Sequence, residues 1–145
     1  MTKINEYNFD DIEIGHTEQF SVQMDESLLD SFATISGDYN PLHMDQKYAQ
    51  KTRFKNRVVH GMLLGSFLSQ LFGVHLPGKN ALYFSQTLNF RSPCFIGDKI
   101  SIRGEVTEKH TTTRMLTIKT TIHNQNNLCL VDGIAKVIVR DNDVT

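Results

Sequence analysis

Val58-Val59-His60-Gly61-Met62-Leu63-Leu64-Gly65-Ser66-Phe67-Leu68-Ser69-Gln70-Leu71-Phe72-Gly73 is apolar on nearly every side, with the small residues Gly61, Gly65, Ser66 and Ser69 interspersed. A helix that is hydrophobic all round has to be buried all round. Roughly 13 residues make it ~20 Å long, too short to span a membrane and suited to the centre of a small domain. The stretch therefore predicts a central buried helix over residues 62–72.

What surrounds that helix is set by the sequence after it. Beyond Leu76-Pro77-Gly78-Lys79-Asn80 the apolar period changes from 3.6 to 2. Leu82, Phe84, Leu88 and Phe90 alternate with Tyr83, Ser85, Thr87 and Asn89. Ile100, Ile102 and Val106 follow, then Leu116, Ile118, Thr120 and Ile122; Asn126-Asn127 reads as a hairpin turn before a last strand over 128–139. Four consecutive strands with short connections predict an antiparallel sheet, and the central helix is the partner able to cover its apolar face. The expected class is α+β: one strongly curved antiparallel sheet wrapped around one long buried helix.

Upstream, residues 9–15 read as a turn-like lead into a strand around 16–22. Asp25 is a helix N-cap, followed by Leu28, Leu29, Phe32 and Ile35 on one helical face, with Gly37 ending the helix. Pro41 drives Asn40 out of the α region, so Asp38-Tyr39-Asn40-Pro41-Leu42-His43 is expected to be an irregular loop. A short helix capped by Asp45 follows, to Gln50.

The 145 residues, with no repeats or linkers, fit a single domain over 1–145. At 39% hydrophobic and 21% charged, the composition is that of a globular protein with a full core. A formal net charge of −1 provides no field to attract nucleic acid or an anionic membrane. The start, Met-Thr-Lys-Ile-Asn-Glu-Tyr, is not a secretory signal, and Cys94 and Cys129 have no metal-ligand spacing. Free thiols and a cytoplasmic location are the expectation.

Three features bear on chemistry. Asp38 and His43 lie five residues apart in the loop bent by Asn40-Pro41, so a carboxylate and an imidazole can face one point, as acid–base work requires. The local sequence by itself favours Asp38 making an Asx turn and His43 being an ordinary loop histidine. Gly61 opens the central helix, whose first N–H groups lack internal partners and carry partial positive charge; without a Cβ, it lets another molecule approach that N–H. It could also merely permit a tight turn. Ser69, two helical turns further on, has a hydroxyl in need of a partner: the carbonyl of Gly65, or the carboxylate of Asp38.

Taken together, Ser36-Gly37-Asp38-Tyr39-Asn40-Pro41-Leu42-His43-Met44-Asp45, Tyr48-Ala49, Thr52-Arg53-Phe54 and Val59-His60-Gly61-Met62-Leu63 resemble the MaoC-like hydratases, and within them the single-domain (R)-specific enoyl-CoA hydratases. Leu88-Asn89-Phe90-Arg91-Ser92-Pro93 and Gly97-Asp98 extend the match almost to the C-terminus. The resemblance implies the hot-dog fold, Asp38 and His43 as catalytic pair, the Gly61 amide as binder of the thioester carbonyl, and Ser69 as support for Asp38. It implies reversible hydration of a trans-2-enoyl thioester, carried on coenzyme A or acyl carrier protein. No cofactor or metal is expected, since no ligand cluster or phosphate loop is present.

The rival readings are a dehydratase acting on acyl carrier protein substrates, a hot-dog thioesterase attacking the carbonyl carbon, and a non-catalytic acyl-thioester binding subunit. The Asp38 and His43 pair speaks against the last two. Lys47, Lys51, Arg53, Lys55 and Arg57 form a basic cluster that either meets coenzyme A phosphates or is a solvated loop face. A small curved sheet leaves an edge strand and a face open, which predicts a homodimer.

Overall fold

The computed structural model describes residues 2–142. Its sheet is built of β1 (Thr17–Gln23), β2 (Ala81–Gln86), β3 (Asn89–Phe90), β4 (Lys99–His110), β5 (Met115–His123) and β6 (Cys129–Val139), all antiparallel, in the order β1-β4-β5-β6-β2 with β3 beside β6. The consecutive strands β4, β5 and β6 form the middle as a meander. Their alternation is that of a half-buried sheet: Ile100, Ile102, Val106, Leu116, Ile118 and Ile122 are all sealed inward. Asn127, at φ 60°, turns the chain between β5 and β6 where the Asn-Asn signal lies.

The inward face of the sheet closes on α4 (Gly61–Gln70), whose Leu63, Leu64 and Leu68 join the same core. The helix continues past Gln70 as one wider π turn, Leu71–His75, which buries Leu71 and Phe72. This is the hot-dog arrangement, a curved sheet around a central helix. One expectation needs correction: α4 is not buried all round. Met62 is 57% exposed, and Ser66, Ser69, Gln70 and Gly73 are exposed as well. Spaced at three and four residues, Met62, Ser66, Ser69 and Gly73 form one stripe that the sheet does not reach. The strand over 82–90 departs in the same way. It splits at an irregularity between Tyr83 and Ser85, and its Leu82, Phe84 and Phe90 stand exposed rather than alternating inward.

The remaining helices are α1 (Glu26–Ser36), α2 (Pro41–Met44) and α3 (Gln46–Gln50). The Asp25 carboxylate accepts the Leu28 N–H at 3.0 Å, and Gly37 leaves α1 in the left-handed conformation, φ 77°. Leu29 and Ala33 define the inward side of α1. Ile35, expected on the buried face, lies about 200° around the helix from Ala33 and faces water. The stretch expected as irregular loop is partly helical: Pro41 takes the first position of α2, where its missing N–H costs nothing, and the Asn40 side chain caps it. Asp45 caps α3 as expected. Among the described residues, no helix is long and apolar enough to cross a membrane.

Candidate active site

Gly37 ends α1 and Asn40-Pro41 starts α2, so Asp38 sits with Tyr39 on a two-residue link between two caps. One carboxylate oxygen, Oδ1, accepts the Asn40 N–H at 3.1 Å, which is the Asx turn. The other, Oδ2, lies 3.9 Å from His43 Nε2. One oxygen thus makes the Asx turn and the other faces the imidazole.

His43 is held by two bonds to the segment leading into α4. Its Nδ1 lies 2.6 Å from the Val58 carbonyl oxygen. A carbonyl only accepts, so Nδ1 carries the hydrogen and Nε2 keeps a lone pair, turned toward Asp38. Arg57 Nε donates to the His43 carbonyl at 2.6 Å. Arg57 itself is buried, 7% exposed, and its guanidinium pairs with Glu26 at 2.9 Å and Asp30 at 3.7 Å. This corrects the basic cluster: Arg57 clamps α1 and α2 together and is not free for phosphates. Arg53, by contrast, lies over the Phe54 ring at 4.7 Å, and both residues line the cavity described next.

Asp38, His43 and Gly61 line one cavity of about 430 Å³, with Val59, Leu64 and Leu130 among its apolar wall. The volume lies in the range of small-molecule sites. At its wall α4 begins: the N–H groups of Gly61 and Met62 precede any possible intrahelical acceptor, and His60 provides no side-chain cap. A Cβ on Gly61 would stand 2.8 Å from the Phe90 ring, so the glycine is needed where helix, aromatic ring and cavity meet. Cys94 also lines the cavity. Burial, then the nearby Asp98, pushes its thiol up to about 12, so it is no nucleophile near neutral pH.

Ser69 is not part of this wall. It lies on the exposed stripe of α4, and the Asp38 carboxylate finds its partners in Asn40 and His43. The helix serine that bonds back along its own turn is Ser66, to the Leu63 carbonyl at 2.6 Å.

Sequence reading names His60 only as the neighbour of Gly61 and gives it no role of its own, yet it lies at the centre of the site. It is 2% exposed, its Nε2 is 3.0 Å from the Asp38 carbonyl oxygen, and its ring stacks on His43 at 4.1 Å. The signal available was a histidine inside an apolar run directly before Gly61. Ligand atoms of Asp38, His43 and His60 fall within 4.8 Å of one another. Imidazole binds metals in the plane of its ring, however, and two stacked rings 28° from parallel do not aim their lone pairs at one nearby point. Each ring also has one nitrogen against a carbonyl, so the trio suits proton transfer better than an ion.

Burial holds the His60 pKa below its ordinary 6.5. Its folded value is depressed, so the unfolded chain takes up the proton first as pH falls. Stability is full above pH 6.5 and is lost as pH drops from there toward the folded pKa. Denaturant titrations from pH 8 to 5 should show this loss, and His60→Phe should remove its share of the slope.

A hot-dog domain thus carries a carboxylate and an imidazole beside a helix N-terminus on one cavity. The sequence profile of the MaoC like domain matches residues 11–127. The (R)-specific enoyl-CoA hydratase of Aeromonas caviae is 38% identical over 126 residues, covering 87% of this chain and 94% of that one. A mitochondrial 3-hydroxyacyl-[acyl-carrier-protein] dehydratase of Arabidopsis thaliana is 38% identical over 117 residues, 79% of this chain and 69% of that one. Among solved structures, the unliganded R-hydratase PhaJ1 from Pseudomonas aeruginosa superposes with a TM-score of 0.92 at 34% identity, covering 96% of this chain and 89% of that one. The protein belongs to the MaoC-like domain family.

Proposed function

We propose that this protein catalyses the reversible addition of water to trans-2-enoyl-CoA, giving (R)-3-hydroxyacyl-CoA, with Asp38 and His43 as the catalytic pair. The observation that carries this reading is the 3.9 Å gap between Asp38 Oδ2 and His43 Nε2 on the cavity wall. It is too long for a direct hydrogen bond and fits one water donating to both groups at about 2.8 Å each. That water keeps a lone pair for the electrophilic β-carbon. The pair takes one proton from the water as the C–O bond forms, and one proton returns by way of His43 to the α-carbon, so both groups end as they began. The Gly61 N–H, backed by α4, binds the carbonyl oxygen as it gains enolate charge. The balance closes without a cofactor.

Loss of the enoyl thioester ultraviolet absorbance on adding the protein, without release of free thiol, tests the reaction against thioester hydrolysis. The Arabidopsis relative supports one second reading, the same chemistry on acyl carrier protein. Comparing matched CoA and carrier-protein substrates decides between them. A cytoplasmic location fits two cysteines that are free, Cys94 and Cys129.

A homodimer is supported by what one chain leaves uncovered. Met62 on the small-residue stripe of α4 and Leu82 and Phe84 on the edge strand β2 are exposed apolar side chains, and β2 meets the end of the central helix through the Phe72–Tyr83 ring contact at 4.8 Å. Sedimentation at micromolar concentration should give twice the chain mass, and a monomer would overturn the assignment. Ser69 lies on that stripe, so any hold it has on an Asp38 carboxylate acts through a second copy. On that reading Ser69→Ala lowers kcat/KM roughly 10-fold or more, the scale of a hydrogen bond to a charged group. Unchanged kcat/KM would leave the serine a surface residue.

A further inference from the structure

His60 touches both groups of the proposed pair while lining the same cavity. Its Nε2 faces the Asp38 carbonyl at 3.0 Å, and because that oxygen only accepts, Nε2 bears the hydrogen. The neutral ring's other nitrogen, Nδ1, is buried without a hydrogen-bond partner. Charging the ring would add an N–H there with no acceptor. The groups facing it are the Phe32 ring of α1 at 5.0 Å, Asp38 on the link after α1, the His43 ring of α2 and the Arg57 guanidinium. Burial, the His43 ring and Arg57 all act against a proton on His60, outweighing the two Asp38 interactions that favour it.

We infer that His60 is a positioning residue for the hydration reaction: its Nε2–H fixes the Asp38 backbone so that Oδ2 faces His43, and its uncharged ring backs the His43 imidazole. The inference rests on the function proposed above. The bond to the Asp38 carbonyl acts with the Ser36 hydroxyl on the Asp38 N–H and with the Asx turn to set the direction in which the carboxylate leaves the chain. A neutral aromatic face behind His43 accommodates positive charge when that ring takes up a proton, whereas a second imidazolium would repel it.

Two substitutions separate the parts. His60→Phe keeps a ring and loses the donor; His60→Gln keeps an N–H donor near the Nε2 position and loses the ring. With crotonyl-CoA, well below each variant's Tm, His60→Phe should lower kcat about 10- to 100-fold with KM changed less than about 3-fold, the scale of a misplaced reacting group. His60→Gln should recover kcat to within about 5-fold of wild type. Equal kcat for His60→Phe and wild type overturns the inference, as does an equal loss in both variants. A wild-type chain that does not hydrate crotonyl-CoA sinks the function itself, which is a different result from an active wild type indifferent to position 60. Nitrogen-15 NMR of the wild-type imidazoles decides even where a variant does not fold. His60 should hold its hydrogen on Nε2 and be mostly neutral at pH 6.5. A hydrogen on Nδ1, or a charged ring at pH 6.5, is the overturning result.

Discussion

Asp38→Asn is expected to lower kcat for hydration by at least about 10²-fold, the usual scale for losing an acid–base group. The substitution is nearly silent for the fold. An asparagine side-chain oxygen can still accept the Asn40 N–H, so the Asx turn and the entry to α2 survive. What disappears is the negative oxygen opposite His43 Nε2, which holds the bridging water and balances the charge on His43 while that ring carries the proton. His43→Ala is expected to have an effect of the same order for a different reason. It removes the other support of that water and the route back to the α-carbon. It also frees the Val58 carbonyl, at a cost of about 1 kcal/mol in stability. Arg57 still grips the residue 43 carbonyl, which involves no side-chain atom of that residue. Initial rates over a range of enoyl-CoA concentrations, with a thermal melt of each variant, make the check. Near-wild-type kcat in a folded variant would remove that residue from its role.

Gly61→Ala should cost roughly 10² in kcat/KM, the scale of losing one donor to a developing oxyanion. Alanine is the better helix former by about 1 kcal/mol, and Gly61 has no positive φ, so the helix itself gains from the change. The loss comes from the methyl group. It would sit 2.8 Å from two atoms of the Phe90 ring, and the half-exposed ring has to move. The same methyl stands beside the N–H that the thioester carbonyl must approach. Pairing Gly61→Ala with Phe90→Ala separates the two effects. Recovery of kcat/KM in the double variant assigns the loss to the displaced ring; persistence assigns it to the blocked N–H. Wild-type kcat/KM in Gly61→Ala alone would sink the oxyanion role.

Much of this architecture is written in local patterns. Asp25, Gly37 and Asp45 bound their helices because caps and left-handed residues act within a few positions of themselves. The inward residues of β4 and β5 are legible because an alternating strand can bury only one face. The places where local pattern misleads share one cause: the deciding partner is remote or absent from the chain. Met62, Leu82 and Phe84 are as apolar as their buried neighbours, and sequence does not say whether the same chain covers them. Arg57 reads as one of five loop cations, but Glu26 and Asp30, about 30 positions earlier, draw it inside. His60 passes for a helix-entry residue because its stack on His43 forms only when α2 folds back onto the start of α4.

Four hydrogen bonds lace the link and helix at 38–43 to the strip at 57–60. Val58 N–H donates to the Leu42 carbonyl at 3.2 Å, Arg57 to that of His43, His43 to that of Val58, and His60 to that of Asp38. The two strips form a closed seam, and residues 45–56 are a bight of chain that leaves it and comes back. Arg53 and Phe54 reach the cavity from this bight, so the chain meets part of its ligand with a segment that bears none of the proposed proton chemistry. Such a layout lets the bight drift in sequence and length, changing what is grasped, while the seam keeps the reacting groups in register.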